Sequence, residues 1–471
     1  MEIDKQVQQN LERIAKAGFE VAIVGGAVRD ILWKKEVSDW DLTTNARPED
    51  ILKIFPDGFY NNKFGTVGVP VDGKKVVEIT TYRKEYGYSD KRHPDKIVWG
   101  KTLEEDLARR DFTINSIALK YSPRRSRSTT PPRWPASTRG VPNGLLGGGS
   151  SFEMVDPYDG QSDLKNKLIR AVGDPDQRFR EDALRLLRAV RFATTLGFEI
   201  DEKTKTAIAK NAKLLSRISG ERIRDELFKI LVSKNATEGI LLAKESRILK
   251  EILPEVDVCF EIEQKSPKRH HIFDVGTHCA MSLKYCPSQD IITRLSTLLH
   301  DIGKVKVAKV TKEGIRTFYN HEVIGARMAR DIANRLHISK QERERLFKLV
   351  RWHQFSVNEN QTDSALRRFI RNIGVENIEN MMDLRVGDRL GGGLQQPESW
   401  RLKLFRQRLK EVLKKPFTVA DLKVNGHDVM KILGITPGPK VGEVLNKLFE
   451  EVLEDSKKND REYLLERILN A

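Results

Sequence analysis

The sequence predicts an α+β protein in which a head of mixed strands and helices precedes a long, all-α body. The first third of the chain alternates short strand-like runs with glycine-rich turns, whereas helix-forming residues dominate after about residue 160. The 471 residues also exceed the length of a usual single domain. We therefore expect several compact units, each with its own core.

The predicted head begins with a short apolar strand that ends in two glycines and leads into a helical pattern. Two strand-like runs follow, and then a charged, aromatic stretch that glycine and proline interrupt. We expect this stretch to be a flexible loop, because such residues break regular elements. The strand, the helix, the two runs and the loop occupy residues 20–25, 27–33, 65–71, 75–81 and 82–100.

Residues 121–151 differ in composition from the rest of the head. They are rich in serine, proline, arginine and glycine and cannot bury a core, so we expect a disordered or lid-like insertion. A basic arm that touches RNA is one interpretation, and a solvated insertion without a role is the other.

The body divides by composition and by the positions of its histidines. Amphipathic helical patterns follow the head, most histidines then lie in one region, and the last stretch is charged and helical. The predicted parts are a head (1–175), a helical neck and body that binds nucleotide and RNA (176–255), a histidine-rich domain (265–395) and a helical tail region (396–471).

The charge balance favours a polyanionic partner. Lys and Arg number 83 against 67 Asp and Glu, a formal charge of +16. Nucleic acid is the obvious candidate, but net charge carries no specificity, so charge alone equally describes a merely basic protein. The motifs have to decide between the two.

The remaining composition points to a cytoplasmic protein. Three cysteines stand in no metal-ligand spacing, and their odd number does not suggest a disulfide framework. The first residues form a charged amphipathic pattern without an apolar signal core, and no run approaches the roughly 20 apolar residues of a membrane span. We expect no membrane partner, and the oligomeric state stays open.

Two aspartates in the head predict a metal site. Asp39 and Asp41 are two residues apart, so in a strand their carboxylates would share one face and hold two Mg²⁺ ions. Such a pair of ions clamps an in-line displacement at a phosphorus atom. Glu78, on a neighbouring predicted strand, is a candidate third ligand, although an outward-facing strand glutamate is also common.

Glycines and arginines around this pair suit a nucleoside triphosphate. Gly25 and Gly26 let backbone amides approach phosphate oxygens, and Arg29 adds a fork of donors. Arg109 and Arg110 lie in a later polar block and are plausible triphosphate or RNA contacts. The alternative for that block is a local ion pair with the aspartate that follows it.

A third block, residues 181–192, predicts selection of the base. At helical spacing Asp182, Arg185 and Arg188 would fall along one side. Asp182 can accept from the exocyclic amino group that cytosine and adenine share, while Arg185 donates to the adjacent ring nitrogen; uracil and guanine would leave both unpaired. This predicts the use of CTP and ATP without a template strand. The alternative is a salt-bridged surface helix.

Together these blocks resemble the class II tRNA nucleotidyltransferases and the related bacterial poly(A) polymerases, whose head is similar to that of DNA polymerase β. The resemblance covers roughly residues 15–255 and departs from the family pattern at the 121–151 insertion. The position of the 82–100 loop resembles CCA-adding or A-adding members. The resemblance implies metal binding by Asp39 and Asp41, sugar and phosphate contacts from Gly26, Arg29 and Arg110, and a protein template for the base formed by Asp182, Arg185, Arg188 and Arg191.

The histidine-rich region resembles the HD phosphohydrolase superfamily, an all-α domain. The order is His278, His300-Asp301 and then Asp388, with Asp383 as an alternative last ligand. Imidazoles and carboxylates in this mixture suit a divalent ion whose identity stays open. His321 and His353 would extend the site to a second ion or bind phosphate. The resemblance implies phosphatase or cyclic phosphodiesterase activity toward RNA ends, or a domain that only binds tRNA.

Three functions are compatible with these motifs. The leading hypothesis is CCA addition to tRNA from CTP and ATP, with Mg²⁺ in the head. An A-adding enzyme or a poly(A) polymerase would use the same catalytic residues, but the mixed charge of the last stretch favours tRNA. A phosphohydrolase with a degenerate nucleotide-binding head is the third, and the intact Asp39 and Asp41 pair speaks against it.

Overall fold

The protein is described by a computed structural model that covers residues 3–470, apart from 38, 61–64, 72–74, 88–95, 124–150, 265–272, 313, 356, 359–360, 395 and 415–417. The chain divides into two compact units, Met1–Ile252 and Leu253–Ala471. The first unit contains a mixed sheet with helices, and the second is helical apart from one pair of very short strands. The predicted α+β class is confirmed.

The first unit contains strands and helices in alternation and then a run of helices. Its strands are β1 (Val21–Val24), β2 (Asp41–Thr44), β3 (Phe59–Tyr60), β4 (Thr66–Val71), β5 (Lys75–Thr81), β6 (Arg83–Tyr86), β7 (Lys96–Trp99), β8 (Ala118–Ser122), β9 (Ser151–Val155), β10 (Leu168–Ile169) and β11 (Glu199–Ile200). Its helices are α1 (Lys5–Lys16), α2 (Gly26–Leu32), α3 (Pro48–Ile54), α4 (Leu103–Ala108), α5 (Gly160–Lys165), α6 (Pro175–Glu181), α7 (Leu184–Leu196), α8 (Glu202–Asn211), α9 (Gly220–Leu231), α10 (Ala236–Glu245) and α11 (Ile248–Ile252).

Seven strands form the main sheet, in the order β3-β4-β5-β2-β1-β8-β9. β2 and β5 are parallel, and the other neighbours are antiparallel. The register places Asp41 opposite Glu78 on one side and opposite Val24 on the other. The first residue of β2 therefore lies beside both the end of β1 and the middle of β5.

Both faces of the sheet are covered, which explains why β1 is apolar throughout. Val21 and Ile23 belong to a core cluster that also contains residues of α1, α2 and α3. Ala22 and Val24 point to the opposite face and pack in a cluster with residues of α4. Side chains alternate between the faces of a strand, so a strand that is buried on both faces needs apolar residues at every position.

The predicted loop 82–100 contains regular structure that the sequence interpretation missed. β6 and β7 pair antiparallel, with Arg83 opposite Trp99, and residues 88–95 between them lie outside the described part. The Gly100 amide donates to the Tyr82 carbonyl at the base of this pair. Cross-strand pairing therefore orders both ends of the stretch. The predicted insertion 121–151 has its first residues in β8 and its last in β9, and residues 124–150 lie outside the described part.

Two hydrophobic clusters lie toward the C-terminal end of the second unit. One joins residues of the helices between 340 and 412, so it crosses the predicted boundary at 395–396, and the other lies among the last three helices. Within the described ranges, no helix has both the length and the apolar character needed to cross a membrane. The elements are α12 (Pro254–Asp257), α13 (Val275–Tyr285), α14 (Ile291–Leu299), α15 (Lys304–Val307), β12 (Lys309–Val310), β13 (Arg316–Thr317), α16 (His321–Arg335), α17 (Lys340–Trp352), α18 (Asp363–Ile373), α19 (Ile378–Gly391), α20 (Trp400–Val412), α21 (Gly426–Leu433), α22 (Pro439–Glu454) and α23 (Arg461–Leu469).

Candidate functional site

Gly25, Asp41 and Arg110 meet at one end of the central strands. Gly25 has a φ of +71°, a conformation that other residues rarely adopt. A Cβ atom added there would lie 3.1 Å from Arg110 Nη1 and 3.3 Å from Asp41 Oδ2. The positive φ favours glycine at this turn, and a larger residue would also crowd the ends of the Arg110 and Asp41 side chains.

Three carboxylates gather at this corner. Burial raises the pKa of the Asp41 carboxyl, Arg110 opposes the rise, and the negative charges of Glu78 and Asp39 add to it. Asp39 lies just before β2 rather than in it, so the two-residue strand alternation does not position it. The neighbouring β5 brings Glu78 to the same place, as the strand prediction required. Carboxylate oxygens are the donors that a hard divalent cation prefers. These three carboxylates interact electrostatically, but they are not among the groups of described residues whose ligand atoms lie within 4.8 Å of one another.

Arg29 on α2 is tied to the polar block that follows α4. Its Nη1 donates to Asn115 Oδ1 at 2.9 Å, and its Nε donates to Asp30 Oδ1 at 2.9 Å. A side chain held in this way is ordered before any ligand arrives. Asn115, which the sequence analysis did not single out, is the residue that joins the glycine turn to this block.

A buried carboxylate positions both arginines of the pair. Asp106 in α4 accepts from Arg109 Nη2 at 2.7 Å and from Arg110 Nη2 at 3.3 Å. Burial opposes ionisation of Asp106, but Arg109 and Arg110 outweigh it and hold the pKa of the carboxyl below its usual value. Asp106 was not among the predicted site residues. Its i, i+3 and i, i+4 spacing to two arginines in a helical stretch was the available signal.

Asp111 forms an ion pair with a residue distant in sequence. Its Oδ2 accepts from Arg188 Nη2 at 2.6 Å and from Nε at 2.9 Å, and its Oδ1 accepts from Asn115 Nδ2 at 3.1 Å. The local pair with a neighbouring arginine, the alternative considered above, is not among these bonds. Asp111 therefore ties the polar block to α7.

This pair predicts acid sensitivity. Burial opposes ionisation, but Arg188 outweighs it and lowers the pKa of Asp111 from 3.8 to about 2. A lowered pKa stabilises the fold above pH 3.8, by roughly 2–3 kcal/mol, and this stabilisation is lost as the pH falls through about 2. We expect Asp111→Asn to unfold at a lower temperature than wild type at pH 7, with a difference that shrinks below about pH 4. Thermal unfolding between pH 3 and pH 7 measures it. Exposed Asp57→Asn is the control, and a difference that does not change with pH would contradict the assignment.

The start of α7 holds the two residues expected to read the base. Asp182 precedes the helix instead of lying on its side, because its backbone is extended and α7 begins at Leu184. Its carboxylate accepts from the Leu184 amide at 3.0 Å and from Arg222 Nη2 at 3.1 Å. Arg185 donates to Glu181 Oε2 at 2.9 Å. Both side chains are thus oriented by neighbours before a base is present.

Arg185 also connects this region to the arginine pair, because its Nη2 donates to the Arg109 carbonyl at 2.9 Å. Further along α7, Arg191 Nε donates to Glu226 Oε2 at 2.8 Å, and Arg188 Nη1 lies 3.9 Å from the other Glu226 oxygen. Glu226 is buried on α9. Neither Glu226 nor Arg222, four residues earlier on the same helix, was among the predicted site residues.

Three guanidinium groups surround the Phe192 ring. Arg191 Cζ lies 3.6 Å from the ring centroid, Arg188 Cζ 5.3 Å and Arg29 Cζ 5.7 Å. These distances fall within the range of cation–π attraction. The predicted nucleotide contacts on α2 and α7 therefore converge on the Phe192 ring, and each of these arginines also has a carboxylate partner.

A second candidate site in the second unit brings four predicted residues together. His278 Nε2 lies 3.1 Å from His300 Nε2, 3.5 Å from Asp301 Oδ2 and 3.3 Å from Asp388 Oδ1. His300 Nε2 lies 3.3 Å from Asp301 Oδ2. Donors held around a metal ion at about 2.1 Å are themselves roughly 3–3.6 Å apart, so this spacing fits an ion. Neither Asp388 nor Asp383 is in the two groups of possible ligands, but Asp388 Oδ1 lies 3.3 Å from His278 Nε2 and 3.7 Å from His300 Nε2.

His321 and His353 form a second group on the other oxygen of Asp301. Their Nε2 atoms lie 3.2 and 3.6 Å from Asp301 Oδ1, and 3.3 Å from each other. One carboxylate thus offers Oδ2 to the first group and Oδ1 to the second. This arrangement fits two ions bridged by Asp301.

Three of the imidazoles are oriented by backbone carbonyls. The Nδ1 atoms of His300, His321 and His353 lie 2.7–2.8 Å from the carbonyls of Thr297, Phe318 and Val350. A proton on Nδ1 leaves the Nε2 lone pair for a metal, as in many metal sites. Burial lowers the pKa of His353 and so favours its neutral, ligating form.

Lys304 supports the shared carboxylate from behind. Its Nζ donates to Asp301 Oδ2 at 2.6 Å and to Gln264 Oε1 at 2.7 Å. Burial opposes ionisation of Asp301, but Lys304 and His300 outweigh it and hold the pKa of the carboxyl well below its usual range. Asp301 is therefore ionised when a cation arrives.

Comparison with known proteins identifies the family. Models of three domains match the chain: the Poly A polymerase head domain at residues 21–128, the RNA and SrmB-binding site of polymerase A at 197–260, and tRNA nucleotidyltransferase domain 2 at 326–468. The CCA-adding enzyme of Lactobacillus helveticus is 33% identical over 95% of this chain and 92% of its own length. That of Pediococcus pentosaceus is 31% identical over 97% of this chain and 96% of its own length.

Solved structures show the same fold. The Bacillus stearothermophilus CCA-adding enzyme in complex with CTP matches with a TM-score of 0.68 at 24% identity, over 99% of this chain and 98% of that one. The Thermotoga maritima CCA-adding enzyme complexed with tRNA matches with a TM-score of 0.57 at 20% identity, over 100% of this chain and 96% of that one. With relatives similar along nearly their whole length and the polymerase-type site of the head, the chain belongs to the family of CCA-adding tRNA nucleotidyltransferases.

Proposed function

We propose that the protein builds or repairs the 3′-terminal CCA of tRNA from CTP and ATP, without a nucleic-acid template and with release of pyrophosphate. The observation that carries this proposal is the cluster of Asp39, Asp41 and Glu78 beside Gly25 and Arg110, in a chain whose relatives are CCA-adding enzymes along most of its length. Related folds have been solved with CTP, with ATP and with tRNA, which supports these substrates.

Nucleotidyltransferases of this family use a divalent metal. We propose Mg²⁺, held by Asp39, Asp41 and Glu78, because carboxylate oxygens are its preferred protein ligands. When bound, the ions supply charge stabilisation at the attacking and leaving oxygens. The chain itself contributes the close approach at Gly25 and the guanidinium of Arg110 for the phosphates. Arg29, held by Asn115, adds a donor beside them.

The base is proposed to be selected by Asp182 and Arg185, with Arg188 and Arg191 behind them. Asp182 can accept from the amino group of cytosine or adenine, and Arg185 can donate to the adjacent ring nitrogen. Support comes from their positions at the start of α7 and from the bond between Arg185 and the Arg109 carbonyl, which joins the base-reading segment to the phosphate-binding block.

Asp182→Ala is expected to weaken base selection more than nucleotide binding. Loss of one good base contact removes about 1–3 kcal/mol of discrimination, so the preference for CTP over UTP should fall about 10- to 100-fold. The measurement is kcat/KM for each nucleotide on a tRNA that ends before CCA. Asp225→Ala, which removes an exposed carboxylate from α9, is the matched control. Unchanged selectivity in Asp182→Ala would refute the template role.

The test of the function uses three tRNA substrates that end before CCA, after C and after CC. Each is incubated with Mg²⁺, the protein and one labelled nucleotide at a time. Ordered addition of C, C and A that then stops supports the proposal. Addition of A alone to the CC end would indicate an A-adding enzyme, and long A tails on any RNA would indicate a poly(A) polymerase.

We infer a second activity, phosphohydrolysis at RNA ends, from the buried histidine and aspartate cluster of the second unit. His278, His300 and Asp388 would hold one divalent ion with Asp301, and the two further histidines would hold a second. Ions at such a site activate water and stabilise charge on a phosphate. Phosphate release by metal-loaded protein from RNA that ends in a 3′-phosphate tests this activity. Absence of release with every first-row divalent ion would leave the cluster a structural element.

A further inference from the structure

A cavity of about 660 Å³ in the second unit opens onto one side of the histidine and aspartate cluster. Asp301, His321, His353 and Asp388 line it, whereas His278 and His300 do not. The ion position formed by His321 and His353 therefore faces the cavity, whereas the other position contributes only Asp388 and the shared Asp301 to the cavity wall. A ligand in the cavity would approach from the Asp301 Oδ1 side.

The charges of the cavity favour an anion once ions are bound. Its cationic and anionic side chains balance in number, so two divalent ions would leave a clear positive excess. The cationic side chains are Lys304, Arg385 and Arg389, and the anionic ones are Asp301, Glu322 and Asp388.

Among the cations, Arg389 has no competing carboxylate within the described residues. Lys304 is engaged by Asp301, and Arg385 Nη1 lies 3.3 Å from Asp388 Oδ2. The Arg389 Nε is buried, and the described part of the chain provides no hydrogen-bond partner for it. Arg389 directly follows the proposed ligand Asp388 on the same helix. Its guanidinium, with a buried Nε and no carboxylate partner among the described residues, is suited to bind a phosphate oxygen.

Tyr319 supplies an aromatic surface at the same cavity. Its exposed fraction is 76%, although the preceding Phe318 is buried. It lies in the turn between β13 and α16, two residues before the ligand His321. An exposed aromatic ring beside a phosphate site is suited to stacking on a nucleobase.

We propose that this cavity recognises the terminal nucleotide of a phosphorylated RNA end, with Arg389 binding the phosphate and Tyr319 stacking on the base. The proposal rests on the phosphohydrolase activity inferred above and assigns its substrate selection to these two residues. Both residues contribute to substrate binding. The cavity, of about 660 Å³, is large enough for one nucleotide. A free nucleoside 3′-phosphate shares this chemistry.

The experiment compares two substrates in Mn²⁺-loaded full-length protein: adenosine 3′-monophosphate, which carries a base, and glycerol 2-phosphate, which carries no ring. For Tyr319→Ala we expect KM for the nucleotide to rise about 5- to 100-fold, since one stacked base is lost. KM for glycerol 2-phosphate should change much less. Tyr319→Trp should restore nucleotide binding. Tyr285→Ala, an exposed tyrosine that does not line the cavity, is the matched control.

Arg389→Met should raise KM for both substrates at least about tenfold, since the phosphate contact is common to them. The control is Arg368→Met, an exposed arginine of α18. Calorimetric titration with the 3′-methylenephosphonate analogue of adenosine 3′-monophosphate, whose P–C bond is not hydrolysed, gives a readout that does not depend on turnover. Both test variants should bind it more weakly than wild type.

The outcomes separate the two ideas. Release of phosphate from neither substrate by wild type would defeat the phosphohydrolase proposal, while the titration would still test recognition. Phosphate release that Tyr319→Ala and Arg389→Met leave unchanged, with unchanged titrations, would overturn the recognition proposal alone. A short oligoribonucleotide with a 3′-phosphate that binds more tightly than the mononucleotide would support an RNA end as the source, and weaker binding would overturn that part.

Discussion

Asp41→Asn is expected to reduce nucleotide addition roughly a thousand-fold, the size of effect seen when a group that stabilises transition-state charge is removed. Asparagine keeps the shape of the side chain but removes the negative charge that the neighbouring carboxylates share with a cation. The substitution should not impair folding, because burial and the like charges of Glu78 and Asp39 raise the pKa of Asp41. A raised carboxyl pKa means that ionisation destabilises the fold above that pKa, so the neutral variant should be at least as stable at pH 7.

Two measurements separate loss of catalysis from loss of structure. Single-turnover addition of labelled CMP to tRNA gives the chemical rate, and thermal unfolding with increasing Mg²⁺ gives the stabilisation by the ion. Wild type should gain stability from Mg²⁺, and Asp41→Asn should gain less. Asp57→Asn, an exposed carboxylate in the same unit, should behave as wild type. Full activity in Asp41→Asn would exclude the metal assignment.

Sequence alone could predict those parts of the head site that depend on residues close together in the chain. Asp39 and Asp41 are neighbours in the chain, and the two glycines before them mark a turn. Glu78 could be proposed from the sequence because the strand pattern around it is clear. These features depend on few residues and on one rule each, such as strand alternation or the conformational freedom of glycine.

The groups that hold these residues in place were not predictable in the same way. Asp111 binds Arg188, which is 77 residues away, and Glu226 binds Arg191, which is 35 residues away. Any carboxylate in a charged stretch could serve as such a partner, and only the packing of α7 against α9 and the polar block selects one. Asp182 illustrates the same limit, since a helical count placed it on α7 and the structure places it before the helix.

The loop 82–100 failed as a prediction for a related reason. Its charged composition and its breaking residues indicated a flexible loop, but Lys96–Trp99 contains two β-branched residues and pairs with Arg83–Tyr86. Pairing between segments that are ten or more residues apart adds stability that composition does not report. In the second unit, by contrast, the order of histidines and aspartates could be read from the sequence. That the two oxygens of Asp301 belong to two different groups of histidines could be seen only in the structure.

Asp301→Asn is expected to abolish the proposed phosphohydrolase activity while leaving CCA addition within about twofold of wild type. Asp301 offers one oxygen to each group of histidines, so its loss weakens both ion positions together. The two compact units each have their own core, so the head should keep its activity. Metal content after dialysis is measured by mass spectrometry. Wild type should hold up to two ions per chain in addition to those of the head, and Asp301→Asn should hold none of these additional ions.

The stability of this variant needs a control, because Asp301 is buried against Lys304 at 2.6 Å. Breaking a buried pair on one side costs about 3–5 kcal/mol, since the other charge stays buried without its partner. His321→Gln removes one ligand without leaving that charge unpaired, and it should lose the cavity-facing ion and retain the other. If both variants keep full metal content, the cluster is no metal site. If His321→Gln folds normally but also loses CCA addition, the cluster serves the head reaction instead of a separate one. Loss of one ion position would then have reduced nucleotide addition in the head.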